Sequence, residues 1–202
     1  MLSFVKNKKP MARIKAFSED VVLNSAMNVF WNNGYEATSV RLLEKEMGIN
    51  QFSIYASFSN KKNLFIESIK KYREYVKEHV FYDLLQENAG LAELELFLQK
   101  KVQKTNAVDG HKGCLVVNTA AEIGTKDKEI AREIELYYDF IYEIMTKVIR
   151  NAIAKGEVPA DTDVEIQAGF FLGIMQGFSV ASKTMDEKRL LDFISVAIKQ
   201  IR

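Results

Sequence analysis

Residues 26–69 read AMNVFWNNGYEATSVRLLEKEMGINQFSIYASFSNKKNLFIESI, and this stretch decides the fold. Gly48-Ile49-Asn50 separates two short helical runs, one from about Ser39 to Met47 and one from Gln51 to Ser57. Gly48 supplies the positive φ that a tight turn demands, and Ser39 and Asn50 stand where N-cap side chains bond the free amides of a first turn. A preceding helix is predicted from Ser18 to Asn33, with Ser18 as N-cap, Glu19 and Asp20 at its positive end, and Val22, Ala26, Val29 and Phe30 on one core-facing stripe. Two short helices at a three-residue corner, braced by a third, make a helix-turn-helix by geometry alone. Helical modules that bind no DNA contain such corners too. The second short helix favours DNA: with Ile54 turned inward it presents Gln51, Ser53, Tyr55 and Ser57, hydrogen-bonding groups rather than a solvating Lys/Glu face.

Outward from this corner the chain stays helical. Ser59 or Asn60 caps a long helix in which Phe65, Ile69, Tyr72, Val76 and Val80 keep helical spacing. Further helices are predicted from about Leu91 to Thr105, Cys114 to Ile123 and Asp127 to Lys155, the last ended by Gly156 and Pro159. Thr162-Asp163-Val164-Glu165 has capping-box spacing and opens a helix to about Lys183, and Asp186 opens a final one to Gln200. The sum is an all-α protein of about nine helices. The only two prolines, Pro10 and Pro159, lie outside the periodic segments.

A net charge of +1 over 202 residues conceals an uneven distribution. Residues 1–62 carry nine Lys/Arg against five Asp/Glu, whereas the remainder carries nineteen against twenty-two, so the basic part is the part with the corner. Lys6, Lys8, Lys9, Arg13 and Lys15 form an acid-free arm ahead of Ser18, open either to phosphates and a minor groove or to plain solvation. The lone Cys114 excludes an internal disulfide and fits a reducing, cytoplasmic setting. No apolar run is expected to reach the roughly 18–20 residues that span a bilayer. His79 and His111 are far apart in sequence, and no phosphate loop, metal spacing or nucleophile elbow is present, so neither an enzyme, a cofactor nor a metal site is expected.

The quoted stretch resembles the signature of TetR/AcrR transcriptional regulators. Phe30, Gly34-Tyr35, Thr38-Ser39-Val40, Gly48-Ile49, Ile54-Tyr55, Phe58, Lys61 and Leu64-Phe65 carry the likeness, which is specific only in combination. The resemblance implies a basic N-terminal arm (1–17), a three-helix DNA-binding domain (18–62) and a helical ligand-binding and dimerisation domain (63–202). It further implies that Gln51 to Ser57 enters the major groove, with Gln51 and Ser53 at base edges. Arg41 is expected on guanine or phosphate, and Tyr55 and Lys61 on the phosphate backbone, Tyr55 having core closure as its other reading. Ser39 has two readings, helix cap and phosphate contact. Phe52 stands where the family commonly has a small residue, and either touches a thymine methyl or shields the helix packing. Glu44 also replaces a small residue at the crossing of the two short helices. Met11-Ala12-Arg13 looks like a usual family start, which would make residues 1–10 an extension.

In the C-terminal part, Gly169, Gly173 and Gly177 recur every four residues along one strip, suited to close approach of another backbone. The resemblance makes this the interface of a homodimer, with intrachain packing as the competing reading; Glu165, Gln167, Gln176 and Lys183 argue against a membrane role. Phe97, Asn118, Glu122, Tyr138, Tyr142, Phe171 and Met175 are candidate members of a pocket for an unidentified small-molecule effector. Cys114, near a helix N-terminus, is a candidate redox or electrophile sensor, which makes a thiol-responsive repressor the alternative to a ligand-responsive one. A helical protein-interaction module without DNA binding is the remaining rival. The expected partners are a double-stranded palindromic operator, a second copy of the chain and the effector.

Overall fold

The structure, a computed structural model, describes residues 18–105 and 110–202. Among the described residues, ten α-helices run in the order α1 (Glu19–Asn33), α2 (Val40–Met47), α3 (Gln51–Phe58), α4 (Lys61–His79), α5 (Tyr82–Leu85), α6 (Leu91–Thr105), α7 (Leu115–Glu122), α8 (Lys128–Ala154), α9 (Val164–Ala181) and α10 (Glu187–Ile201), with a 3₁₀ turn at Gly110–Lys112. The described residues contain no strand. The basic arm of residues 1–17 lies outside the described residues.

The caps are those that short polar side chains dictate. Ser39 Oγ accepts the Leu42 amide, Asn50 Oδ1 that of Ser53 and Asn60 Oδ1 that of Asn63. Asp127, Asp163 and Asp186 likewise cap α8, α9 and α10. Two details depart from the sequence expectation. Ser18 occupies the N-cap position of α1 but makes no side-chain cap bond, while Asp20 pairs with Lys71 Nζ on α4 at 2.6 Å. The cap of α9 is Asp163 and not Thr162, because the carboxylate one residue later reaches both the Glu165 and Ile166 amides.

The tenth helix is the single turn α5, too short to carry a readable period. It exists because Phe81 and Leu84, almost fully buried, must turn inward where α4 ends; Phe81 packs on Phe97 (ring centroids 5.2 Å) and Phe140 (5.8 Å).

Helices α1–α3 and the start of α4 share one core built on Val22, Ala26, Phe30, Leu43, Ile54 and Phe65, with the Phe30 and Phe65 rings 4.7 Å apart. Behind it α8 packs along α9 and α10 against α6, and α4 runs from the first core into the second through Ile69, Tyr72 and Val76. Contrary to expectation, α9 has the length and mean hydropathy (1.3 over 18 residues) to cross a bilayer, yet only 28% of it is buried. One side of it buries Ala168, Phe171, Met175 and Phe178, and the other leaves Ile166, Phe170 and Val180 exposed.

Candidate nucleic-acid interface and the cavity behind it

The corner closes through backbone and side chain together. Gly48 sits in the left-handed region (φ 68°, ψ 19°) and its amide returns to Glu44 O. The Glu44 carboxylate, at the position where a small residue was expected, reaches across the turn and accepts the Gln51 amide at 2.5 Å. With Asn50 it satisfies two of the free amides that start α3. Glu44 thus ties α2 to α3 rather than wedging them apart.

Helix α3 turns Ile54 and Phe58 into the core and its opposite side outward. Gln51 is exposed, Ser53, Tyr55 and Ser57 are half-buried, and Tyr55 packs against the core edge. Phe52 is 82% exposed, so it shields no packing among the described residues. Arg41 and Ser39 are exposed at the start of α2. Lys61 opens α4, with its Nζ 4.4 Å from the Tyr35 ring centroid; burial lowers its pKa, while Glu36 and Glu122 act the other way. Between α3 and α4, Ser59 takes φ 68°, ψ −48°, and the Asn60 amide bonds Phe58 O at 2.8 Å. This is a γ-turn of the rare, strained form, and it joins the two helices with no slack between them.

Three polar ties hold this head to the helices behind it. Glu122, at the end of α7, accepts the Tyr35 amide at 3.0 Å and the Glu36 amide at 2.8 Å. Trp31 Nε1–H donates to Gly113 O at 3.1 Å. Lys62 pairs with Asp127, at 3.4 Å, and with Glu129.

At this seam lies a cavity of about 790 Å³. Its walls come from α1 (Asn24, Met27, Asn28, Trp31), α4 (Tyr72, Tyr75), α6 (Phe97, Lys101, Lys104), the α7 entry (Cys114, Val117), α8 (Tyr137, Tyr138) and α9 (Met175, Phe178). Of the seven expected pocket residues, Phe97, Tyr138 and Met175 are brought together here and four are not. Asn118 faces away and donates to Lys112 O, and Glu122 is spent on the Tyr35 and Glu36 amides. Tyr142 lies one turn further along α8 than Tyr138, its hydroxyl 3.4 Å from Glu165 O, and Phe171 is fully buried in the core. The α1 wall was not foreseen, although Asn24, Asn28 and Trp31 fall at i, i+4, i+7 and so mark a second face of that helix.

Cys114 lies in the cavity wall, its thiol donating to Tyr137 Oη at 3.3 Å and its amide to Ser179 Oγ at 2.7 Å. Burial raises the pKa of Tyr72 and Tyr137 well above the usual phenol value and pushes Tyr138 up to about 12, so all three stand as neutral hydroxyls at pH 7.

On α9 the glycine strip faces outward. A Cβ built at Gly169 or Gly173 meets nothing within 4 Å, and one at Gly177 meets only Phe193, at 3.6 Å. Intrachain packing does not explain the first two. Beside the strip, Ile166, Phe170 and Val180 of α9 and Leu191 and Val196 of α10 are exposed.

A family model described as bacterial regulatory proteins, tetR family, matches residues 22–67, and one described as the tetracyclin repressor-like C-terminal domain matches residues 90–198. The chain belongs to the TetR family of transcriptional regulators. It is 27% identical over 177 residues to the HTH-type transcriptional repressor ComR of Escherichia coli (strain K12), covering 87% of this chain and 84% of ComR. To the HTH-type transcriptional regulator YezE of Bacillus subtilis (strain 168) it is 28% identical, covering 93% of this chain and 98% of YezE. Among solved structures, a cysteine mutant of the TetR-family regulator CifR, complexed with 26 bp double-strand operator DNA, superposes with a TM-score of 0.82. That match has 28% identity over 95% of this chain and all of the other. In this TetR-family chain the two family models meet the seam from either side, and α4 passes between them.

Proposed function

We propose that this TetR-family regulator is a sequence-specific repressor that binds a palindromic operator as a homodimer and is released by a small-molecule effector. The observation that carries the reading is α3 itself. It is a helix held at its first turn by Asn50 and Glu44, and it offers Gln51, Ser53 and an uncovered Phe52 outward. Gln51 suits bidentate pairing with adenine and Phe52 suits a thymine methyl. Arg41, Ser39, Tyr55, Ser57 and Lys61 frame that helix as phosphate or base contacts. The limits proposed for the parts are 1–17 for the arm, 18–62 for the DNA-binding domain and 63–202 for the ligand-binding and dimerisation domain. The protein acts by binding, without turnover, in the cytoplasm where its operator lies.

Dimerisation is assigned to α9 and α10. The exposed apolar side chains beside Gly169 and Gly173 form a face of the kind that a second copy buries, which also accounts for the apolar character of α9 without a bilayer. Gly173→Arg is expected to convert the dimer to a folded monomer in sedimentation equilibrium, with an unchanged far-UV helix signal. A variant that stays dimeric removes the assignment. The two-fold pair then presents two α3 helices to half-sites about one DNA turn, ~34–36 Å, or somewhat more apart.

The effector cavity is proposed at the seam, where α1 and α4 both form its wall. A ligand seated there bears directly on the head through Trp31, and on α3 through α4 and the slack-free turn at Ser59. Operator binding then falls because the ligand-bound arrangement sets the two heads differently, as it must if ligand affinity differs between the two states. The deciding experiment is titration of the purified protein onto DNA upstream of its own gene at two salt concentrations. Salt-sensitive, sequence-selective binding is expected, and its absence overturns the reading.

A further inference from the structure

Four lysines line the cavity, Lys100, Lys101, Lys104 and Lys112, against two carboxylates, Glu78 and Asp83. Asp83 is already taken by Lys100, at 2.8 Å. Lys101 extends over the Phe97 ring, 5.4 Å from its centroid, with Cys114 and Lys104 as its charged or titratable neighbours. Among the described residues, no carboxylate stands within ion-pair distance of Lys101 or Lys104. Two like charges one turn apart on a helix repel each other, and burial lowers the Lys101 pKa by disfavouring its charged form. The free protein bears this cost, offset only in part by the Phe97 ring beneath Lys101.

The same cavity carries an aromatic wall. Trp31 meets Tyr72 edge-on at 4.9 Å, Tyr72 and Tyr137 lie 6.0 Å apart, and Tyr137 and Tyr138 are again 6.0 Å apart. The neutral hydroxyls there are hydrogen-bond donors and add no negative charge. A cationic ligand meets Lys101 and Lys104 with repulsion, and a neutral one brings Lys101 no counter-charge.

We propose, building on the effector reading above, that this cavity takes an aromatic organic anion, its ring among Trp31, Tyr72 and Tyr137 and its carboxylate on Lys101 and Lys104. The volume of about 790 Å³ accommodates a two-ring acid.

The test uses the full-length protein and two isosteric probes, biphenyl-4-acetate and biphenyl-4-acetamide, titrated by calorimetry. Emission of Trp31, the only tryptophan in the chain, reports occupancy of the cavity directly. The acid is expected to bind at least about tenfold more tightly than the amide and to change the Trp31 emission. Lys101→Met is expected to bring the acid down to the affinity of the amide while leaving amide binding unchanged, which also shows that the variant is folded. Equal binding of acid and amide, binding of neither, or an acid preference that survives in both Lys101→Met and Lys104→Met overturns the proposal. Operator binding is measured on the same preparation without ligand. Release of the operator by the amide as readily as by the acid removes the anion but keeps the effector reading. A protein that binds no operator removes the repressor reading, and the calorimetric preference still decides the anion.

Discussion

Replacing Gly34 with alanine is expected to destabilise the protein by about 2–4 kcal/mol and to lower its Tm by roughly 5–15 °C. Gly34 ends α1 at φ 79°, ψ 177°, a region that is essentially glycine's alone. That backbone cost is only the first part. A Cβ there would lie 2.8 Å from Glu122 Oε2, and the carboxylate, at the end of a flexible side chain, can retreat only by releasing the Tyr35 and Glu36 amides. Hydrogen bonds to a charged group contribute about 1.5–3 kcal/mol, so the retreat is itself destabilising. The two residues act through one contact, which a double-mutant cycle detects. Glu122→Ala removes the amide acceptor alone, and adding Gly34→Ala to it is expected to cost less than Gly34→Ala does in the wild type, because the clash is already gone. Denaturant titrations of the four proteins measure this. A Gly34→Ala protein as stable as the wild type, or strictly additive effects, would show that Glu122 does not latch the head.

Gln51→Ala is expected to weaken operator binding by about 1–3 kcal/mol for each half-site while leaving binding to unrelated DNA and the salt dependence unchanged. The side chain carries no charge, so no phosphate contact or counterion release goes with it. Stability is expected to hold, because Gln51 is exposed and the bond to Glu44 comes from its backbone amide, which alanine keeps. Anisotropy titrations with operator and scrambled duplexes separate the two affinities. An unchanged ratio between them takes Gln51 out of the reading surface.

What the residues disclosed in advance follows from the range of the interactions involved. The caps at Ser39, Asn50 and Asn60, the turn at Gly48 and the apolar stripes of α1, α4 and α8 are local, and they stand in the structure where the sequence puts them. The cavity is not local. Its walls come from six segments far apart in sequence, so assigning members required the rotational setting of each helix and not only its existence. Asn118 follows Val117 by one residue, about 100° around α7, and that turn takes it from the cavity to the Lys112 carbonyl. Tyr142 misses for a different reason: it shares Tyr138's face of α8, but one turn along the axis it stands at the level of α9's first turn, outside the cavity lining. Glu122 illustrates a different limit. An acidic side chain near an aromatic region suggests a ligand handle, and only the three-dimensional arrangement reveals two backbone amides waiting for it.

If a ligand in the cavity releases the operator as proposed, the sharing of one cavity wall by the reading head, through Met27 and Trp31 of α1, has a consequence for induction thresholds. Coupling of this kind is reciprocal: whatever factor the ligand takes from operator affinity, the operator takes from ligand affinity. The protein on DNA is then a poorer receptor than the protein in free solution by that same factor, and the more tightly a stretch of DNA holds it, the more ligand is needed to vacate that DNA. Promoters whose operators differ in strength would be switched on by one regulator at different ligand concentrations, the weakest operator first, so a single cavity yields a graded programme of responses.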